Sequence, residues 1–169
     1  MPSRPLRSAP ADRFAALAPH DLTPAETDSL IRLALAALAH RHRPGVPLAT
    51  PDDTRAYLRL MLGDRRNEVF GCVLLDNRLR VRAVEELFHG TIDGAAVYPR
   101  VVVQRALATD SAAVILFHCH PSGVAEPSSA DEAITRRLVS ALSLVDVRVL
   151  DHVVVTTQEA VSFAERGLL

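Results

Sequence analysis

The sequence contains no lysine: all nineteen of its basic residues are arginines. Together with the many alanines this reflects coding bias, and no function is read from it. Cysteine is nearly missing too. Cys72 and Cys119 are the whole complement, too few for a disulfide framework, so a packed core has to hold the fold and nothing points to an oxidising compartment. No apolar run approaches the roughly 18 residues needed to cross a bilayer, and the apolar residues from Leu30 to Leu38 fit one face of an amphipathic helix instead. The opening MPSRPLRSAPADRF is not followed by the apolar stretch of a secretory signal, and Asp12 is out of place in a transit peptide. A cytoplasmic protein with no membrane partner is expected. A basic footprint is absent as well. Net charge is −1, with ten Arg against seven acids in residues 1–66 and nine against thirteen in residues 67–169. Sequence-independent affinity for nucleic acid rests on neutralised phosphates, so charge gives a nucleic-acid partner no support.

What is present is enough for a core. The 169 residues are 49% hydrophobic, room for one domain and a small appendage. Residues 1–20, rich in Pro, Ala, Ser and Arg without a sustained period, are expected to form a flexible arm. Thr23, Pro24 and Glu26 then give a helix start, with apolar residues to Leu38 and an end near His42. Thr50, Pro51 and Asp53 repeat the signal before RAYLRLML, and Gly63 supplies the stop. These two helices, over 21–66, are predicted as a helical appendage. Beyond it the period changes. EVFGCVLLD and LRVRAVEELF read as strands joined by a turn at Asp76-Asn77, Pro99 opens a helix to Ala108, and AAVILFH reads as a buried strand. Ser128 or Ser129 opens a helix to about Leu144, and VRVLDHVVV returns as a strand. The predicted fold class is α/β, a mixed β-sheet flanked by helices in the order ββαβαβ over residues 67–169.

The chemistry concentrates in FHCHPSGVAEPSSADEA. On an extended backbone His118 and His120 project from one face roughly 7 Å apart, close enough for both imidazoles to reach one ion, while Cys119 points the other way. Pro121, Ser122 and Gly123 favour a turn that returns the chain, and Asp131 falls in the first turn of the next helix. Three such ligands leave a fourth position for water, the arrangement of a catalytic zinc, and a carboxylate base must then manage the proton. Glu68, opening the first strand, is the candidate; Glu85 and Glu86 are alternatives. Ser128 and Asp131 also fit an S-x-x-D capping box. His152 reads either as a group orienting a ligand or as a buried core residue, Cys119 as a small core side chain, and His20 and His89 as solvent-facing. A second H-x-H with a following Asp, His40, His42 and Asp53, ends a predicted helix. There residues i and i+2 diverge, and Arg41 and Arg43 disfavour a cation.

H-x-H, seven residues, Ser, two residues and Asp, with a Glu about fifty positions upstream, resembles the JAMM metalloprotease signature. More narrowly, NEVFGCVLLDNRLRV, GTIDGAAVYPR, the block from His118 to Asp131, VLDHVVV and SFAERGLL resemble the bacterial RadC proteins. The resemblance implies a JAB/MPN, cytidine-deaminase-like fold for residues 67–169. It also implies one zinc per chain on His118, His120 and Asp131, Glu68 as general base, and Ser128 as hydrogen-bond donor to the developing oxyanion. The implied activity is a zinc metallopeptidase acting on a peptide or isopeptide. Two other classes follow from the same resemblance: a non-catalytic MPN-type interaction module, and a DNA-repair or mobile-element accessory. The sequence departs from the family at Pro99-Arg100-Val101-Val102, which lacks a Glu, at Cys119, where Asn is usual, and before residue 45, where no Gly-rich helix-hairpin-helix turn is found.

Overall fold

Two strands organise the molecule, β1 (Val69–Leu75), apolar throughout, and β3 (Ala113–Cys119), apolar except for His118. A strand apolar on both faces needs cover on both faces, and both are buried along their whole length. The computed structural model describes residues 17–41, 50–90 and 96–169. It adds helices α1 (Pro24–Arg41), α2 (Pro51–Leu62), α3 (Pro99–Ala108) and α4 (Ser129–Ser143), and strands β2 (Val81–His89), β4 (Arg148–Val155) and β5 (Ala160–Ser162). Most of the predicted arm, His42 and the middle of GTIDGAAVYPR lie outside the described residues. Residues Pro19–Asp21, inside the stretch expected to be an arm, form a short 3-10 turn.

The five strands lie in the order β2-β1-β3-β4-β5. β1 is antiparallel to β2 and β3, β3 is parallel to β4 through the α4 crossover, and β5 is antiparallel to β4. This is the predicted mixed sheet flanked by helices. Leu58 and Leu62 of α2 pack with Val73, Ile115 and Phe117 on one face. Val102 and Ala106 of α3, with Leu138 and Leu142 of α4, pack with Cys72, Leu74, Val114 and Leu116 on the other.

Two expectations change. The helix α2, assigned with α1 to an appendage over 21–66, buries Leu58 and Leu62 in the core under the sheet; its start signals are those of any helix and say nothing about where its apolar face goes. The order is ββαβαββ, because β5 is added; three residues carry no readable period. In α1, by contrast, Leu30, Ile31 and Leu33 stay largely exposed.

The hairpin between β1 and β2 closes as the turn residues predict, with Asp76 Oδ1 accepting from the Arg78 and Arg80 amides and Asp76 Oδ2 from the Arg80 guanidinium. One glycine is required by close approach. At Gly71, beside a register shift between β1 and β2, a Cβ would stand 2.5 Å from Phe117 Cζ and closer still to the Glu85 carbonyl oxygen. Gly71→Ala is therefore expected to destabilise the protein by about 3 kcal/mol through overpacking. Denaturant unfolding checks it: a lowered midpoint at unchanged slope is the expected result.

Candidate metal centre

Alternation along β3 sends Val114, Leu116 and His118 toward α4, and Ile115, Phe117 and Cys119 toward α2. Cys119 is thus a core side chain, its sulfur accepting from the Val69 amide at 3.4 Å. His120 lies one residue past β3, but its amide donates to Val155 O at 2.9 Å, extending the pairing with β4. The ring of His120 therefore returns to the side of His118. The turn follows at once: the Gly123 amide donates to His120 O at 3.1 Å, and Gly123 takes φ of +83°, which glycine adopts without a Cβ penalty. Val124 is thereby presented so that His120 Nδ1–H donates to its carbonyl at 2.7 Å, leaving Nε2 bare.

Asp131 is the third residue of α4. Ser128 is the N-cap: the Asp131 amide donates to Ser128 Oγ, and Asp131 Oδ2 accepts from the Ser128 amide at 2.7 Å and its hydroxyl at 2.6 Å. The other oxygen, Oδ1, stands 3.2 Å from His118 Nε2. Oδ1 faces His118, while Oδ2 carries the cap and also stands toward His120, so one carboxylate serves both cap and cluster and the two readings of Asp131 are compatible. The Ser128 hydroxyl proton is committed to Asp131, so an oxyanion role would require that side chain to rotate.

The three groups converge tightly. His118 Nε2 and His120 Nε2 are 2.9 Å apart, His118 Nε2 and Asp131 Oδ1 3.2 Å, and His120 Nε2 and Asp131 Oδ2 3.5 Å. Bonds of about 2.0–2.1 Å at tetrahedral angles give ligand–ligand edges of about 3.3 Å, close to these separations. Exposure is low: the side chains are 1%, 17% and 13% exposed for His118, His120 and Asp131. Two imidazole nitrogens and a carboxylate at this spacing draw a cation between them, a proton or a metal ion, so this donor set fits a metal ion. Among the described residues it is the one group of His, Cys and acidic side chains with that geometry. His40 is exposed at the end of α1, and Asp53 is engaged as the first turn of α2, its amide donating to Thr50 Oγ1.

The electrostatics follow the geometry. Burial pushes the Asp131 carboxyl up, but when the imidazoles are protonated the hydrogen bonds from His118 and His120, the His118 charge and the Ser128 hydrogen bond outweigh it and hold the group well below the usual carboxylate range. The Asp131 hydrogen bond raises His120; burial opposes it, and the Val124 carbonyl and the charges of Asp131 and Glu68 add to it. His152, fully buried, is held well below its ordinary value first by burial and then by the His118 charge.

Glu68 directly precedes β1 and is half-buried. Phe70 pairs with His118, so continuing that antiparallel register by two residues sets Glu68 opposite His120. Its backbone is fixed by the Gly90 amide, which donates to Glu68 O at 2.8 Å. The alternatives are spent elsewhere: Glu85 is bound by Arg105 through two hydrogen bonds, which lower its pKa, and Glu86 pairs with Arg65 at 2.6 Å. His20 and His89 are solvent-facing, at 84% and 61% exposed.

A family model described as the RadC-like JAB domain matches residues 48–168. The chain belongs to the RadC-like JAB domain family. It is 59% identical over 145 residues to a UPF0758 protein of Thioalkalivibrio sulfidiphilus, covering 86% of this chain and 65% of that one. A UPF0758 protein of Nitrosococcus oceani is 62% identical over 125 residues, covering 74% and 56%. One of Stutzerimonas stutzeri is 50% identical over 167 residues, covering 97% and 74%. The chain thus spans 65% of the length of the Thioalkalivibrio relative. The JAB match begins at residue 48 and takes in α2, in keeping with the burial of that helix.

Sequence reasoning passed over one residue of this JAB domain that reaches the site. Thr135 is fully buried one turn after Asp131, with its hydroxyl 2.6 Å from His152 Nδ1, and His152 Nε2 is 2.8 Å from His118 Nδ1. The available signal was helical spacing, which puts i+4 over the same face as the ligand. His152 is both buried and in contact with a candidate ligand, uniting the two readings the sequence left open.

Proposed function

We propose that the chain is a zinc-dependent metallohydrolase of the JAMM type, cleaving a peptide or isopeptide bond with Glu68 as general base. The observation that carries the proposal is the convergence of two imidazole nitrogens and a carboxylate at tetrahedral spacing, with Glu68 brought opposite His120 by the extended β1–β3 register. Held there with one position open, zinc would supply Lewis acidity, making hydroxide available near neutral pH and polarising a carbonyl. The protein's own groups do the rest. Glu68 takes the proton of the attacking water and returns it to the leaving amine. His118, His120 and Asp131 are already aimed by their own hydrogen bonds, so little reorganisation is needed at the moment of reaction. The turn at Pro121–Gly123 and the cap at Ser128 leave the mouth of the site exposed, which gives an extended polypeptide access. No described helix is long and apolar enough to cross a membrane.

The test is hydrolysis of peptide and isopeptide-linked substrates by zinc-loaded protein. Turnover should disappear with a chelator and return with added zinc. Metal-free protein that takes up no zinc when offered it would overturn the proposal, and zinc uptake without turnover on either substrate class would favour a non-catalytic interaction module.

A further inference from the structure

We propose that Thr135 is a positioning residue that sets the ring tautomer of His118, so that Nε2 presents a lone pair to the metal. The inference rests on the assignment of His118 as a metal ligand and is independent of hydrolysis.

The direction of each hydrogen bond follows from the group at the far end of the chain. Thr135 Oγ1 lies 2.5 Å from the Asp131 carbonyl oxygen. A carbonyl can only accept, and two oxygens that close without a proton between them repel, so the single hydroxyl proton of Thr135 is directed there. Toward His152 Nδ1, at 2.6 Å, Thr135 Oγ1 is then an acceptor, and His152 carries its proton on Nδ1. The neutral ring of His152 leaves Nε2 bare, and that nitrogen accepts from His118 at 2.8 Å. The proton of His118 is thereby held on Nδ1 and its Nε2 is free, facing His120 Nε2 and Asp131 Oδ1.

Packing denies the relay an escape. The His152 ring is stacked on Phe163 at 4.7 Å and meets the edge of Phe70 at 5.4 Å, and Phe70 lies parallel to the His118 ring at 6.1 Å. Neither ring can turn over without opening this aromatic cluster, and His152, His118 and Thr135 are all sealed from water. The chain is also closed on itself. It begins at one candidate ligand, on β3, crosses β4, and ends on the backbone of another, Asp131, on α4. A fault at Thr135 is therefore felt at both.

Thr135→Val keeps the shape and removes both the donor and the acceptor. His152 would then be free to carry its proton on Nε2 and donate to His118 Nδ1, moving the proton of His118 onto Nε2, where it blocks the metal. Nitrogen-15 NMR of the ring nitrogens, on metal-free protein in mildly alkaline buffer, reads the tautomers directly. Chelator competition reads zinc affinity. In the unsubstituted protein both His118 and His152 should carry their protons on Nδ1. In Thr135→Val the His118 proton should move to Nε2 and zinc affinity should fall on the order of 10- to 100-fold, with Thr135→Ser restoring both. A merely structural threonine would lower stability without moving the ring proton. The inference is overturned if the unsubstituted protein carries the His118 proton on Nε2, a result that needs no variant to fold. It is equally overturned if Thr135→Val leaves the tautomer unchanged and zinc affinity within about twofold. Failure to find hydrolysis bears on the proposed function and leaves these ring assignments standing.

Discussion

Replacing His118 and His120 together by alanine is expected to abolish zinc binding: about one zinc per natural chain and little in the variant, measured by elemental mass spectrometry on untagged protein. The size of the effect follows from the ligand count. One carboxylate oxygen on a helix cap does not hold zinc against water, whereas two imidazoles with their second nitrogens already occupied do. A thermal melt gives a second readout. A ligand at 1,000 times its dissociation constant stabilises by about 4.1 kcal/mol, and for a chain of this length that raises the melting temperature by about 8–16 °C. Added zinc should shift the natural protein and leave the variant where it was. The sign with pH is also set. The metal takes a bare His120 nitrogen, and His120 holds a proton more firmly than usual because of Asp131. Protons therefore compete for the site as pH falls, and zinc uptake should weaken as pH drops through the imidazole range, beginning at a higher pH than for an ordinary histidine. Full zinc content in the double variant would remove these residues from the metal centre.

The second large effect is expected at Glu68. Glu68→Gln keeps the shape and the hydrogen-bonding capacity of the side chain and removes its ability to take a proton. Loss of a positioned general base costs about 10²- to 10⁴-fold in turnover, and zinc content should be unchanged because Glu68 is not among the converging ligand atoms. Glu85→Gln and Glu86→Gln are the controls. Both side chains are tied to arginines on the outer part of β2, and their loss should leave turnover near that of the natural protein. Full activity in Glu68→Gln would remove it from the mechanism; loss of zinc would recast it as a ligand.

The central architecture was readable because the residues that mark it act locally. Thr50 and Ser128 cap their helices with their own side chains, Pro99 sits where its missing donor costs nothing, and the apolar runs of β1 and of β3 up to Phe117 mark buried central strands. The cluster of His118, His120 and Asp131 was readable for the same reason, since strand alternation and one turn bring them together. What could not be read depends on tertiary packing. The face α2 turns to the sheet is decided by the hollow that Leu58 and Leu62 fill. Thr135, a threonine inside a helix, looks indifferent until β4 delivers His152 against it. The placement of Glu68 opposite His120 likewise requires the β1–β3 register.

That contrast separates two kinds of robustness. The three metal-facing residues belong to one continuous stretch of chain, so closing the loop between them costs little entropy, whereas Glu68 arrives only when β1 docks beside β3. On the proposed function, a population in which β1 has come away from β3 would lose its general base while the three candidate ligands stay on one stretch of chain. Zinc content would then overstate the competent fraction, which would have to be counted by turnover.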